Sequence, residues 1–439
     1  MNQKQTVAII SLGCAKNTVD SEMMCGALAT AGYRISTNVA GADFVVINTC
    51  AFIDQAKEEA IDTIMATVAE KEAGNVGGII VAGCLAQGYS RDLRAAVPEI
   101  DAIMGTGAVG QIVAVVEAVR RGERPICDGR TTGQPADLPR LRLGPPFSAY
   151  LKIAEGCDNR CHYCAIPNLR GPFRSRPRHE LVVEAIRLAN QGAVELNLIA
   201  QDITRYPDLI GLLDDLQQIE TLRWIRLLYA HPDRVGPELL DYIARAPKIC
   251  PYLDIPVQHA DRSVLQAMGR SGEKDDLLAL VERARAIIPN VVLRTTLLVG
   301  FPAEGVREFD NLLSFVRQAR FDYLGVFTYS PQPGTPAWSL GDPVPAQVKE
   351  ERRQIVMSLQ AGISQERWKR WRNQEVDVLV ETVWRHPEQG SRLRGRMAGQ
   401  APEVDGKVFA RAKRPVGSGE MVQVTIENSS QFDIYGVVK

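Results

Sequence analysis

Three cysteines, Cys157, Cys161 and Cys164, lie within eight residues of the segment EGCDNRCHYCAIPNLRG. A structural zinc site takes four protein ligands, usually as two pairs well separated along the chain. The CxxxCxxC spacing offers no fourth cysteine or partner histidine at a suitable distance, and we interpret His162, inside the triplet, as a loop residue. Three thiolates can hold a 4Fe-4S cluster whose remaining iron is open to another ligand. The spacing therefore predicts an iron–sulfur cluster with one vacant coordination position.

A second set of cysteines follows the ends of predicted strands. Cys14 comes after TVAIISLG, Cys50 after DFVVINT and Cys84 after GGIIVAG. Because the carboxyl ends of parallel strands form the ligand-binding edge of an open α/β sheet, we expect these three thiols to lie close together. The alternative is that they are inert buried thiols, since cysteine is commonly buried. Cys25, inside a helical pattern, is expected to be of that kind.

The elements that must position these cysteines alternate between strands and helices. In residues 1–120, TVAIISLGC runs into DSEMMCGALATAGY, DFVVINTC runs into DQAKEEAIDTIMATVAEKEA, and GGIIVAGC runs into SRDLRAAV. Such alternation predicts a doubly wound parallel sheet. Residues 121–146 are rich in proline and glycine, which favours a linker.

Six further strand-like segments, each leading toward a helical pattern, occupy residues 147–373. They are AYLKIAE, VELNLIA, IRLLYA, YLDIPV, VVLRTTLLVG and YLGVFTYS, and a closing helix follows. This arrangement predicts a partial (βα) barrel with its active site at the carboxyl ends of the strands. The clustered cysteines come directly after the first of these strands, at that edge.

Residues 374–439 are short β-rich segments separated by turn residues, as expected for a small β-barrel. From Trp371 to Lys439 there are ten basic and nine acidic side chains. A barrel that held RNA through its phosphates would be more basic, so the balance favours a protein substrate. Arg392, Arg394 and Arg396 keep RNA open as an alternative, because alternate residues on a strand can form a basic stripe.

The charge and the apolar runs of the whole chain indicate in which cellular compartment the protein is expected. The 439 residues carry a net charge of −1 and a hydrophobic content of 45 %. No apolar run approaches the roughly 18 residues of a membrane span, and the N-terminus does not resemble a signal peptide. We therefore expect a cytoplasmic protein whose cysteines are ligands, catalytic groups or buried thiols rather than disulfides.

Several longer segments carry a resemblance to a known family. They are SLGCAKNTVDSE, VINTCAFIDQAKEEAIDTI, VAGCLAQGYSRDL, YLKIAEGCDNRCHYCAIPNLRGPFRSR, YLDIPVQHADRSVLQAMGR and LVGFPAE. The triplet resembles the signature of the radical S-adenosylmethionine (SAM) superfamily, and the whole set resembles the methylthiotransferase family over essentially the full chain. CAFIDQAKEE, IAQDITRY and APEVDG are similar to its RimO branch.

The resemblance implies a set of cofactors and ligands. Two 4Fe-4S clusters are expected, one on Cys157, Cys161 and Cys164 and the other on Cys14, Cys50 and Cys84. SAM would serve as radical source and methyl donor, with Tyr163 contacting its adenine. No catalytic residue beyond the cluster ligands is assigned, and the reaction needs an external electron donor.

The resemblance also implies a substrate and a role for the C-terminal barrel. The expected reaction adds a methylthio group to the β-carbon of an aspartate in the small-subunit ribosomal protein uS12. The alternative is methylthiolation of an adenosine in transfer RNA. A TRAM-like barrel would bind the substrate, and we expect Glu403 and Asp405 to contact the basic ribosomal protein.

Overall fold

The computed structural model describes residues 5–51, 53–129, 139–386 and 390–439. In these ranges no helix is both long enough and apolar enough to cross a membrane.

The chain divides into two compact units. The first holds residues 1–144, 154–160 and 164–180. The second holds residues 145–153, 161–163 and 181–439. The loop with the clustered cysteines therefore contributes residues to both units.

The first unit is built on a parallel sheet in the order β2-β1-β3-β4-β5-β6. One face is covered by α1 and α4 and the other by α2 and α3, each over its own apolar core. Seven of the eight residues of β3 are buried, as expected for a strand covered on both faces. The predicted doubly wound sheet is confirmed. Its elements are β1 Thr6–Ser11, α1 Ala15–Thr30, β2 Arg34–Ser36, β3 Ala42–Thr49, α2 Asp54–Glu72, β4 Val76–Gly83, α3 Cys84–Ala96, β5 Ala102–Met104, α4 Ile112–Arg120 and β6 Ile126–Cys127.

Two helices of this unit begin earlier than the polarity pattern predicts. The sequence indicated helices over DSEMM and SRDL, whereas α1 begins at Ala15 and α3 begins at Cys84. The first turn of α1 is polar yet buried, because Asn17 makes its hydrogen bonds inside the protein. Polarity alone therefore placed the starts of these helices too late.

The segment predicted as a linker contains ordered structure. β6 lies within it and pairs in parallel with β5. Further on, Arg140 forms an ion pair with Glu22 of α1 at 2.5 Å. Residues 130–138, in the middle of the predicted linker, lie outside the described residues.

The six predicted strands of the central region are all present, as two three-stranded parallel sheets with the orders β11-β10-β7 and β12-β13-β14. The sheets adjoin at Ile225 of β11, which forms a parallel bridge with Ile249 and accepts a hydrogen bond from the Cys250 N–H. Two strands and a helix of this stretch, β8, β9 and α5, belong to the first unit. The elements are β7 Ser148–Lys152, β8 Ala154–Glu155, α5 Ile166–Arg170, β9 Arg174–Ser175, α6 Arg178–Asn190, β10 Glu195–Ile199, α7 Leu209–Gln217, β11 Trp224–Leu227, α8 Pro237–Arg245, β12 Tyr252–Asp254, α9 Arg262–Ala267, α10 Lys274–Ile287, β13 Val292–Val299, α11 Val306–Ala319, β14 Tyr323–Thr328 and α12 Ala346–Trp368.

The C-terminal strands form a closed barrel in the order β15-β16-β17-β19-β18. The predicted small β-barrel is thus confirmed, and closure leaves it without a free sheet edge. Its strands are β15 Glu375–His386, β16 Gly390–Met397, β17 Val408–Ala412, β18 Met421–Ser429 and β19 Ile434–Val438.

A buried group of charges joins this barrel to the central strands. Glu195, the first residue of β10, has no exposed surface, and neither do Arg226 of β11 and Arg396 of β16. The Glu195 carboxylate accepts hydrogen bonds from Arg396 at 2.5 and 2.9 Å and from Arg226 at 3.0 Å. Although burial raises the pKa of Glu195, the Arg396 and Arg226 guanidiniums and the Ser148 hydroxyl hold it well below its usual range.

Two expectations about the barrel surface are wrong. Arg392 is exposed, but Arg396, four residues further along β16, is fully buried against Glu195, so the three arginines do not form one exposed stripe. Asp405 is also buried, and it accepts hydrogen bonds from the Tyr252 hydroxyl and the Ala401 N–H, both at 2.8 Å. Of the two carboxylates that were predicted to contact the substrate, Glu403 is exposed and Asp405 is not.

Replacing Arg396 tests the buried charge group. Arg396→Ala leaves Glu195 without its main partner and should lower the free energy of unfolding of the second unit by about 3–5 kcal/mol. Arg392→Ala, on the same face of the same strand, is the matched control and should change it by no more than about 0.5 kcal/mol. Urea unfolding at neutral pH, with hydrogen exchange of β10 and β16 as the local probe, measures both.

The pH dependence of the same variants gives a second reading of this group. Because the folded-state pKa of Glu195 is depressed, its stabilising contribution is present above the unfolded value of about 4.3 and is lost as pH falls below that value toward the folded pKa. The wild-type chain should lose more stability between pH 7 and about pH 3 than Arg396→Ala does. An equal loss in both would contradict the assignment of Glu195.

Candidate metal centre

Three thiols of the first unit are placed at the carboxyl ends of its sheet. Cys14 precedes α1 as its N-cap residue, Cys50 directly follows β3, and Cys84 directly follows β4 as the first residue of α3. Cys14 is exposed, whereas Cys50 and Cys84 are buried. The edge therefore presents one thiol at the surface and two beneath it.

Two glycines allow close packing of the backbone at these strand ends. Gly13 has φ +89°, and a Cβ atom on it would stand 2.7 Å from the Cys50 Cβ and 3.2 Å from the Cys50 Sγ. Gly83 has φ +94°, and a Cβ atom there would stand 2.3 Å from the Asn48 Oδ1. Both positions combine a left-handed backbone with no space for a side chain, so only glycine fits without strain.

Side-chain hydrogen bonds hold the three strand ends in register. Asn17 Nδ2 donates to the Leu12 and Thr49 carbonyls at 3.0 and 2.9 Å. Asn48 Nδ2 donates to the Asn17 carbonyl at 2.8 Å, and the Thr49 hydroxyl donates to the Ala82 carbonyl at 2.6 Å. These bonds connect the segment after β1 with β3 and β4, and so fix the backbone that carries the cysteines.

The three thiols lie at neighbouring strand ends, and some of their contacts and electrostatic effects are shared. Burial raises the pKa of the Cys84 thiol to about 12; the Arg170 guanidinium opposes that rise, and Cys14 and Cys50 add to it. Gly13, the residue before Cys14, lies against Cys50. The structure places Cys14, Cys50 and Cys84 at neighbouring strand ends of one sheet edge.

The size of a 4Fe-4S group matters for what these thiols could hold. Within the described ranges, no three His, Cys, Asp or Glu side chains stand close enough to hold one ion. A 4Fe-4S group is much larger than an ion, so its thiolate ligands stand further apart. Three thiols at neighbouring strand ends, with Cys14 exposed, are a donor set of the kind that holds such a group.

The clustered cysteines of the loop 155–171 are all partly exposed. Gly156, with φ +75°, brings the loop close to the backbone of residues 171 and 172, and a Cβ atom there would stand 2.1 Å from the Pro172 carbonyl oxygen. The Cys157 N–H donates to the Gly171 carbonyl at 3.1 Å. Cys157 and Cys164 belong to the first unit, and Cys161 belongs to the second.

The residues around Cys161 anchor it in the second unit. Arg270 Nη1 lies 3.9 Å from the Cys161 Sγ and 3.4 Å from the Tyr163 hydroxyl oxygen. Tyr163 is partly buried against an apolar cluster that includes Met268 and Phe301. His162 Nδ1 lies 2.9 Å from the Ala267 carbonyl oxygen, which agrees with its interpretation as a loop residue.

Cys25 and Cys250 are packing residues. Both are buried, and burial raises the pKa of the Cys25 thiol to about 12 and that of the Cys250 thiol to about 11. The predicted burial of Cys25 is confirmed. Cys50 and Cys84 are buried too, so burial does not separate Cys25 from them; its place inside α1 does.

Sequence reasoning missed the polar residues behind the thiols of the first unit. Asn17, Asp20, Glu155 and Arg170 are all buried. Asn17 and Asp20 follow Cys14 by three and six residues, and Arg170 follows Cys164 by six. Polar residues on a helix are ordinarily read as solvent-exposed, so their only signal was their position beside the cysteines.

Three family models match consecutive parts of the chain. Residues 6–105 match the uncharacterized protein family UPF0004, residues 151–316 match the radical SAM superfamily, and residues 374–438 match the TRAM domain. The matches cover five of the six strands of the parallel sheet, most of the central strands and the closed barrel.

Curated relatives are similar along nearly the whole length. The ribosomal protein uS12 methylthiotransferase RimO of Trichlorobacter lovleyi is 44% identical, with 98% of this chain and 97% of that protein covered. The enzyme of the same name from Pelotomaculum thermopropionicum is also 44% identical, with 98% of each covered.

A solved structure shares the fold at low sequence identity. The radical SAM methyltransferase TsrM from Kitasatospora setae, with cobalamin and a [4Fe-4S] cluster bound, has a TM-score of 0.57 at 15% identity. The similarity covers 76% of this chain and 74% of that one.

Iron content tests the two cysteine sets. Anaerobically reconstituted protein should hold about eight irons per chain, the sum of two four-iron clusters. Alanine at Cys157, Cys161 and Cys164 should leave about four irons and abolish reductive cleavage of SAM. Alanine at Cys14, Cys50 and Cys84 should also leave about four, yet retain SAM cleavage.

The buried thiols provide the control for these counts. Cys25→Ala and Cys250→Ala together should leave the iron content unchanged, because neither side chain is placed at a cluster. If neither triple substitution lowered the count, the assignment of the ligands would be wrong.

Proposed function

Because this chain belongs to the RimO family of ribosomal protein uS12 methylthiotransferases, we propose that it adds a methylthio group to the β-carbon of an aspartate in uS12. The observation that carries the proposal is 44% identity over 98% of the chain. Such an enzyme is a transferase of the radical SAM type. The predicted domains then take separate roles: residues 1–120 hold sulfur, residues 147–373 bind SAM, and residues 374–439 bind the substrate.

Membership of the radical SAM superfamily implies SAM and one 4Fe-4S cluster. We propose that Cys157, Cys161 and Cys164 hold this cluster. When bound, the cluster and SAM supply a radical that can take hydrogen from an unactivated carbon. Tyr163 is proposed to contact the adenine, since its ring already rests on an apolar cluster and its hydroxyl lies near Arg270.

A second 4Fe-4S cluster is proposed at Cys14, Cys50 and Cys84. The support is the set of three thiols at one sheet edge, with Gly13 allowing the backbone before Cys14 to lie against Cys50. Cys50 and Cys84 are buried while Cys14 is exposed, so a group on them would face solvent on the Cys14 side. The sulfur that is methylated by a second SAM and then transferred would be held there.

The barrel supports a protein substrate rather than transfer RNA. Its charge is balanced, and Arg396 is unavailable to a phosphate because it is buried against Glu195. The exposed Glu403 is the remaining carboxylate of the predicted docking pair. Complementary charges would mainly affect the encounter rate with a basic protein. We propose that the reaction takes place in the cytoplasm and that an external electron donor supports it.

Mass spectrometry of the products tests this function. The reconstituted full-length chain is incubated anaerobically with SAM, a reductant and purified uS12, and the protein is then digested. One aspartate-containing peptide should become heavier by one carbon, one sulfur and two hydrogens, because a methylthio group replaces a hydrogen. Formation of 5′-deoxyadenosine and S-adenosylhomocysteine should accompany it.

Two parallel incubations control the assignment. Cys157→Ala should give no modified peptide and no 5′-deoxyadenosine, because its radical cluster lacks a ligand. Transfer RNA in place of uS12 should remain unmodified. Methylthiolation of transfer RNA together with unmodified uS12 would overturn the proposed substrate.

A further inference from the structure

Arg170, which follows Cys164 in the chain, contacts residues near Cys14 within the first unit. It ends α5, six residues after Cys164, and its guanidinium is buried among groups from the segment after Cys14. Nη2 donates to the Asn17 Oδ1 at 2.5 Å, and Nη1 donates to the Glu155 Oε1 at 2.9 Å. Both nitrogens donate to the Asp20 Oδ2 at 3.2 Å.

The same guanidinium lies beside the most buried of the strand-end thiols. The Asn17 Oδ1 that accepts from Arg170 is 3.9 Å from the Cys84 Sγ. Burial raises the pKa of the Cys84 thiol, and the Arg170 guanidinium opposes that rise. An arginine guanidinium is not deprotonated in proteins, so Arg170 supplies a fixed positive charge at this place.

A buried charge at this place is not explained by stability. Taking an ion pair out of water costs several kcal/mol per ion, and apolar residues of similar volume are often neutral or stabilising in its place. The α1–α5 contact could therefore be made with apolar side chains. What apolar side chains would not supply is a fixed positive charge next to the thiols.

We propose that Arg170 is a positioning residue that sets the charge at the iron–sulfur group held by Cys14, Cys50 and Cys84, and so raises the reduction potential of that group. The inference rests on the second cluster of the proposed function. Reduction adds one electron to the cluster, and a nearby positive charge stabilises the reduced form more than the oxidised form. Asp20, paired with the same guanidinium, acts in the opposite direction.

The experiment isolates this cluster in the full-length chain. Alanine at Cys157, Cys161 and Cys164 removes the other cluster, and the reconstituted protein is titrated with a reductant while its electron paramagnetic resonance spectrum is recorded. Arg170→Gln should shift the reduction potential to a more negative value. Asp20→Asn, which removes a negative charge from the same contact, should shift it to a less negative value.

Opposite shifts distinguish charge from disturbance of the fold, because a loosened site has no reason to respond with opposite signs. Arg170→Lys retains the charge and should keep the potential near that of the parent chain, although it cannot reproduce the forked hydrogen bonds. Arg91→Gln, an exposed arginine on α3, is the matched control and should leave the potential unchanged. If Arg170→Gln fails to fold or to retain iron, Asp20→Asn and Arg170→Lys decide the question.

The outcomes distinguish a failure of the second cluster from a failure of the role of Arg170. A parent chain that binds no iron after the triple substitution would contradict the second cluster, and with it part of the proposed function. A parent chain with about four irons, whose potential is the same with Asp20→Asn and Arg170→Gln, would overturn only the role of Arg170. Shifts of the same sign in both variants would also overturn it.

Discussion

Parallel strands gather their carboxyl ends at one edge of a sheet, and the candidate metal centre depends on that constraint. Cys14, Cys50 and Cys84 are 36 and 34 residues apart, yet β1, β3 and β4 are consecutive neighbours in the sheet. The helices that follow β1 and β4 begin at or directly after a cysteine. At this edge Gly13 and Gly83 let the backbone pass where a side chain would have no space.

Buried ion pairs are the second theme of the fold. In the first unit Arg170 meets Asp20 and Glu155, and in the second unit Glu195 meets Arg226 and Arg396. Each group joins parts of the chain that are distant in sequence, by 150 residues for Arg170 and Asp20 and by 201 for Arg396 and Glu195. Because both groups are buried, removing one charged partner would leave another buried charge uncompensated, which is strongly destabilising.

Much of this architecture is predictable from the sequence. The alternation of apolar strands and helices predicted the parallel sheet and the six central strands, and the short β-rich segments predicted the small barrel. The position of three cysteines directly after strands predicted that they lie at one edge of the sheet. The buried charges were not predictable. Arg394 and Arg396 alternate on β16 like residues of an exposed face, but Arg396 is covered by another part of the chain. The segment APEVDG has the composition of a surface turn, yet its Asp405 is buried in contact with Tyr252 and Arg294.

The Arg396–Glu195 contact also constrains how such a protein can evolve. A C-terminal barrel is commonly regarded as an interchangeable module, joined to an enzyme core by recombination. Here the barrel contributes a cation to a carboxylate that lies at the start of a core strand. If a barrel without that cation replaced this one, the carboxylate at the start of the core strand would be buried without its ion-pair partner. Diversification of target choice is therefore easiest on the solvent-facing side, where Trp384, Arg392 and Tyr435 are exposed.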